Sequence, residues 1–351
     1  MTNRGSGIVN REPKSTSRFD VTAIGNAIVD VLAQAEDALL VEHKLAKGAM
    51  SLIDAADAER LYSVMGPGRE ISGGSAANTA AFIAALGGRT AYIGKVADDQ
   101  LGDVFEHDIR AVGVTYTTPR LTEGLSTARC LIFVTPDAQR TMQTFLGATT
   151  QLGPEDLNME YITASKVVYL EGYLWDQPRA KKAMRDAAIR AHEAGIKVAL
   201  TLSDAFCVAR FRDEFLDLAA NHVDILFANE SEILSLYQVD RFEDALAQVR
   251  RHCEVAALTR SEKGSVVVNG AEAHVIPAEQ GVKVVDTTGA GDAYAAGFLY
   301  AYTVGCGLAA CGRLGGVMAA EVISHYGARP EADVKALAAK TLAGESVKFS
   351  T

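Results

Sequence analysis

Apolar residues recur along the chain in two alternating rhythms. Short runs at residues 19–24, 90–93, 166–170, 197–201, 225–228 and 256–259 have the length and branched character of buried strands. Between them lie longer segments that predict helices: an Ala-rich stretch ending at Gly87-Gly88, one running to Val112, and residues 178–194 and 211–221. Alternation with short connections implies an α/β fold, a mostly parallel sheet with helices on both faces. Ligands then gather beyond the carboxyl ends of the strands. A further strand at 282–285 is expected to lead into a long helix.

Two stretches break the rhythm. Residues 127–134 and 140–146, joined through 136–139, predict a β-hairpin without a helix, and a second hairpin spans 256–269. The first, with the strand expected at 48–53, predicts a small β-sheet lid formed by about residues 28–53 and 117–148 over the end of the large sheet. Residues 1–18 carry Arg4, Arg11, Lys14 and Arg18 without an apolar core, so they are expected to be a solvated tail before a domain spanning 19–351.

Composition narrows the class of ligand. A net charge of -10 argues against a nucleic-acid surface, and no apolar run is long enough to span a membrane. Five scattered cysteines without a C-x-x-C pair fit reduced thiols and hence the cytoplasm. The expected partners are small molecules.

Candidate chemistry sits at the predicted strand ends. In Asp286-Thr287-Thr288-Gly289-Ala290-Gly291-Asp292, the glycines allow an anion to approach unpaired N–H groups at a helix start, and Asp292 falls in the first turn. The helix start is expected to hold Asp292 ionised. Asn26 and Asp30 combine an amide with a carboxylate, a pair suited to two neighbouring hydroxyls, or simply to a turn. Gly73 and Gly74, with Asn78 one turn on, allow a flat polar ligand to lie against the backbone. Asn229 and Glu232 lie three residues apart on one helix face and could order magnesium-bound water, although the same spacing is that of a capping box. Arg140 on the hairpin is a candidate cation for phosphate.

Taken in order, Gly25-Asn26…Asp30, Ser72-Gly73-Gly74…Asn78, Asn229…Glu232 and the Asp286–Asp292 run resemble the ribokinase-like (PfkB) carbohydrate kinases across about residues 19–340. The resemblance implies a ribokinase-like fold, ATP as phosphate donor and Mg2+. It makes Asp292 the base for the acceptor hydroxyl, and Gly289, Ala290 and Gly291 the anion hole. It places Asn229, Thr259 and Gly264 on the nucleotide side, with Asn229 and Glu232 acting on magnesium through water. It also extends to a monovalent cation, K+, held by backbone oxygens near Asp286, Thr288 and Gly327. The Asn26–Asp30 spacing, Arg140 followed by 145–148, and Gly172-Tyr173 are similar to adenosine kinases. That implies phosphorylation of the 5′-hydroxyl of adenosine or a related ribonucleoside, Asp30 on the ribose diol and Tyr173 stacked on the base. A sugar kinase acting on a free furanose such as fructose or ribose is the alternative. Thr288 departs from the animal adenosine kinases, which have Asn there, and Met50 and Leu52 predict an apolar base pocket. The lid sheet leaves a monomer or a homodimer through the lids as the expected assembly.

Overall fold

The structure, a computed structural model, describes residues 17–137, 139–347 and 349; most of the predicted tail lies outside them. The strands are β1 (Phe19–Ile24), β2 (Ile28–Gln34), β3 (Met50–Leu52), β4 (Gly68–Gly73), β5 (Thr90–Ile93), β6 (Thr115–Tyr116), β7 (Ala128–Val134), β8 (Arg140–Phe145), β9 (Ser165–Glu171), β10 (Lys197–Thr201), β11 (Ile225–Asn229), β12 (Val255–Thr259), β13 (Ser265–Asn269) and β14 (Glu272–Ile276). Nine of them form one sheet in the order β14-β13-β12-β11-β10-β9-β1-β5-β6. Pairing is parallel from β6 to β12 and antiparallel only through β13 and β14.

Alternate residues of the parallel strands feed two cores. Val21, Ala23 and Tyr169 point to the face covered by helices Ser75–Leu86, Ala290–Thr303 and Leu308–Val322. Ile24, Leu170 and Leu200 point to the face covered by Pro178–Glu193 and Arg212–Asn221. Burial on both faces explains why these strands read as unbroken apolar runs.

The remaining strands form a five-stranded sheet, β3-β8-β7-β2-β4. Its residues alternate between two environments, as period-two geometry requires. Val29, Val31, Leu131 and Phe133 join the main core, whereas Ile28, Leu32, Cys130, Ile132, Val134 and Met142 form an apolar patch on the opposite face.

Several expectations need correcting. Residues 282–285 are not a strand: Val284 is exposed, and the N–H groups of Val285 and Asp286 bond to the Ile323 carbonyl at the end of the neighbouring helix. β4 was not expected, because Gly68-Arg69-Glu70-Ile71-Ser72-Gly73 has the composition of a loop; charged residues at a sheet edge produce that composition. The helix Ala205–Arg210 and the edge strand β14 were also missed. Among the described residues no helix is long and apolar enough to cross a membrane. All five cysteines are free thiols.

Candidate active site

Beyond the carboxyl end of β1, Asn26 is nearly buried and both ends of its amide are engaged. Its Nδ2 donates to Glu171 Oε1 at 2.6 Å, and its Oδ1 accepts from Thr149 Oγ1 at 2.8 Å. Glu171, the last residue of β9, also accepts from the N–H groups of Asn26 (3.3 Å) and Ala76 (2.8 Å). Burial pushes this carboxyl up to about 7 despite those three donors. Gly25 permits the approach, since a Cβ there would lie 2.3 Å from Glu171 Oε2. Asn26 therefore has one N–H and one lone pair left for a ligand.

Asp30 lies in the lid strand β2, not in a turn. Its register neighbours are Cys130 on one side and Ile71 on the other, so it belongs to the same face as Ile28, Leu32 and Ile132. The carboxylate rests on Gly73, where a Cβ would come within 2.4 Å of Oδ2. Among the described residues it accepts no hydrogen bond and forms no ion pair. Burial pushes its pKa up to about 7, opposed by the charges of Arg329 and Arg140 and reinforced by Asp292. An acid placed this way, without partners, has its hydrogen-bonding capacity free for a ligand.

Gly73 ends β4, and Gly74 turns the chain into the helix Ser75–Leu86. Gly74 has φ of +97°, and a Cβ there would meet the Asn26 carbonyl at 2.0 Å. This turn delivers Ser75 and Asn78 to Asp292: Ser75 Oγ donates to Oδ1 at 2.6 Å and Asn78 Nδ2 donates to Oδ2 at 3.1 Å. Asp292 is in the first turn of Ala290–Thr303, as expected. Burial raises its pKa, and the Ser75 and Asn78 donors temper the rise.

Gly289 caps that helix at φ +77°, in close contact with Ala328. Gly291 is open, with nothing within 4 Å of where a Cβ would sit. The N–H of Ala290 bonds to Thr287, whereas those of Gly291 and Asp292 have no protein acceptor, as at any helix start. These open donors and the bare Gly291 surface can accept an anion.

Arg140 reaches the same loop from β8. Its Nη1 lies 2.6 Å from Asp286 Oδ2 and 3.2 Å from Thr288 Oγ1, both side chains of the ion pair being almost completely buried. Its Nε and Nη2 are buried without a partner among the described residues. Asp286 is otherwise held by Thr288 N, Thr288 Oγ1 and Gly327 N, which brings 286–288 and Gly327 together.

Asn229 and Glu232 form a capping box at the helix Glu230–Tyr237. Asn229 Oδ1 accepts from Glu232 N at 2.9 Å, and Glu232 receives both Asn229 N (2.9 Å) and Asn229 Nδ2 (2.5 Å). Burial pushes the Glu232 carboxyl up to about 7. No cluster of three or more His, Cys, Asp or Glu side chains suited to a metal occurs among the described residues. Within the capping box both Glu232 oxygens and the Asn229 amide are engaged with each other, so a role toward metal-bound water would fall to their remaining lone pairs.

Thr259 ends β12, and Gly264, at φ +79°, closes the turn to β13 under the Ile276 carbonyl. Tyr173 follows β9, partly exposed, with its N–H on Ser203 Oγ and its hydroxyl on the Ser203 carbonyl. Sequence reasoning did not assign roles to Glu171, Thr149, Ser75 or Arg329. Glu171 carried one usable signal, an acid directly continuing a buried strand; Ser75 lay inside a recognised motif.

Residues 56–335 match the pattern of the pfkB family of carbohydrate kinases. The chain belongs to that family. It is a phosphotransferase acting on an alcohol acceptor. Among solved structures, adenosine kinase from Sinorhizobium meliloti is 54% identical, with a TM-score of 0.85 over 92% of this chain and 99% of that one. A probable sugar kinase from Rhizobium etli is 52% identical, also with a TM-score of 0.85, over 93% and 99%. Aminoimidazole riboside kinase of Salmonella typhimurium is 30% identical over 65% of this chain and 72% of its own. The large, mostly parallel sheet and the small second sheet belong to the fold this chain shares with these two solved structures.

Proposed function

We propose that this pfkB kinase transfers the γ-phosphoryl group of ATP to the 5′-hydroxyl of adenosine or a related ribonucleoside. The observation that carries the reading is the unpartnered Asp30 carboxylate set on the apolar lid face of Ile28, Leu32, Cys130, Ile132 and Met142. A vicinal diol satisfies the carboxylate, and a flat base covers the partly exposed Ile28, Leu32 and Met142 beside it; a free furanose would leave them uncovered. The likeness to the Sinorhizobium meliloti adenosine kinase supports the same reading. The Rhizobium etli likeness keeps a free sugar as the competing acceptor.

In this reading Asp292 takes the proton of the acceptor hydroxyl as that oxygen bonds to phosphorus and the bond to the ADP oxygen breaks. Ser75 and Asn78 fix both Asp292 oxygens, so the carboxylate meets the hydroxyl in one orientation. Gly289, Ala290 and Gly291 present backbone donors to the transferring group. The orphaned Nε and Nη2 of Arg140 supply further positive charge. Magnesium with ATP would supply charge neutralisation, with Asn229 and Glu232 ordering its waters and Thr259 and Gly264 flanking the nucleotide. Tyr173, if it meets the base, does so after leaving Ser203. K+ would sit where 286–288 and Gly327 converge. Coupled detection of ADP release against a panel of ribonucleosides, 2′-deoxynucleosides, ribose and fructose tests the proposal. Turnover of a free sugar in preference to every nucleoside rejects it.

A further inference from the structure

Arg329 has no role in the reading above, yet its guanidinium spans the joint between the lid and the main domain. Nη2 donates to the Ser72 carbonyl at 2.6 Å and to Ser72 Oγ at 2.8 Å, and Nη1 donates to the Ala77 carbonyl at 3.3 Å. These acceptors bracket residues 72–77, the segment in which β4 becomes the helix Ser75–Leu86. On the far side Asp108 accepts from Ser72 N (2.8 Å) and Ser72 Oγ (2.6 Å), so Ser72 is gripped from two directions. Arg329 Nε is buried without a partner.

The bracketed segment holds three parts of the site. Gly73 is the surface under the Asp30 carboxylate, Ser75 orients Asp292 Oδ1, and Gly74 lies against the Asn26 carbonyl. Arg329 itself comes from the loop whose Gly327 N–H holds Asp286. A shift of the joint would therefore move the diol acid and the base donor together, relative to the phosphate loop. We infer that Arg329 is a positioning residue for the acceptor: by clamping Ser72 and Ala77 it fixes the distance between Asp30 on the lid and Asp292 on the main domain.

The clamp has an electrostatic consequence that separates it from mere structural support. The charged groups that face Asp30 are Arg329 from the C-terminal loop, Arg140 from β8 and Asp292 from its helix, with the neutral Cys130 thiol from β7 beside them. The two arginines favour the ionised carboxylate; Asp292 opposes it. Removing the Arg329 charge raises the pKa of both Asp30 and Asp292, so the acid limb of kcat/KM for the acceptor moves to higher pH.

The inference rests on a diol-bearing acceptor, and its test uses whichever acceptor the parent enzyme turns over. The acceptor panel then judges the functional reading, and variant-to-parent ratios judge the clamp. In the full-length enzyme, Arg329→Gln should raise acceptor KM about 10-fold or more, the loss of roughly one charge-assisted bond, with ATP KM within about twofold. Its acid limb should rise by about half a pH unit or more. Arg329→Lys should return the limb to the parent position while acceptor KM stays raised, because an ammonium retains charge without the two-sided grip. If Arg329→Gln does not fold, Arg329→Lys and Ser72→Ala carry the measurement, both expected to raise acceptor KM. Acceptor KM unchanged in every folded variant, or ATP KM rising in step with it, overturns the inference.

Discussion

The sharpest perturbation is Asp30→Asn, because the carboxylate it removes has no partner in the free protein and its pKa is pushed from 3.8 to about 7. The sign follows from linkage. Between the two values the unfolded chain is ionised while the folded chain still holds the proton, so stability falls as pH rises from about 4 to 7 and stays low above that. About three pH units at 1.36 kcal/mol each give a cost on the order of 4 kcal/mol at pH 8, before the cleft relaxes or admits water. At pH 5 only about one unit is in play, on the order of 1.5 kcal/mol. An amide of the same shape avoids the cost, so Asp30→Asn should raise Tm by several degrees at pH 8 and by much less at pH 5. The same variant should raise acceptor KM about 10–100-fold, through loss of charge-assisted bonds worth roughly 1.5–3 kcal/mol each, and leave ATP KM alone. Thermal melts at both pH values and coupled ADP release measure the two halves. A Tm gain equal at pH 5 and pH 8, or equal turnover of ribo- and 2′-deoxynucleosides by the parent, refutes this account of Asp30.

Asp292→Asn retains an acceptor for Asn78 and a donor for Ser75 but takes no proton, so kcat should fall about 10²–10⁴-fold with acceptor and ATP affinities by calorimetry within a few-fold. More than about half the parent kcat would remove Asp292 from the role of base. Arg140→Met should strand the buried Asp286 carboxylate and cost about 3–5 kcal/mol in chemical denaturation, together with a marked loss of kcat. Glu232→Gln should weaken the capping box and lower Tm modestly; a parallel rise in the magnesium concentration needed for half-maximal rate separates a metal role from a cap alone.

The large sheet was readable because parallel strands buried on both faces leave unbroken apolar runs, and the Asp286–Asp292 loop because its glycines admit so few side-chain alternatives. β4 was hidden for the opposite reason: at a sheet edge, Arg69 and Glu70 face water and leave no apolar period to detect. Residues 282–285 misled because Val282, Val284 and Val285 have strand propensity, yet the N–H groups of Val285 and Asp286 found the Ile323 carbonyl instead of a neighbouring strand. Asn26 and Asp30 were picked as a pair by their chemistry and their spacing. The structure divides them, giving Asn26 to Glu171 and Thr149 and leaving Asp30 open on the lid. Beyond its place as an acid continuing a buried strand, Glu171 had no local pattern to announce its role, and Arg329 had none at all, since their partners lie 145 and 257 residues away in the chain.

That division explains where the fold accepts instability. Asp30, Glu171 and Asp292 are three carboxyls raised by burial within one cleft, and each has a different remedy. Glu171 spends its oxygens on Asn26 and Ala76, an internal task that needs no ligand. Asp292 has one donor on each oxygen, enough to orient it and too few to quench its basicity. Asp30 has none, so its desolvation remains uncompensated until something with hydroxyls arrives. Ranked by unmet hydrogen-bonding capacity, the three acids run from Glu171 through Asp292 to Asp30, the order in which the proposed function uses them as scaffold, proton acceptor and ligand contact. The same order places the least satisfied group on the lid, the element whose position the bound molecule would have most reason to stabilise.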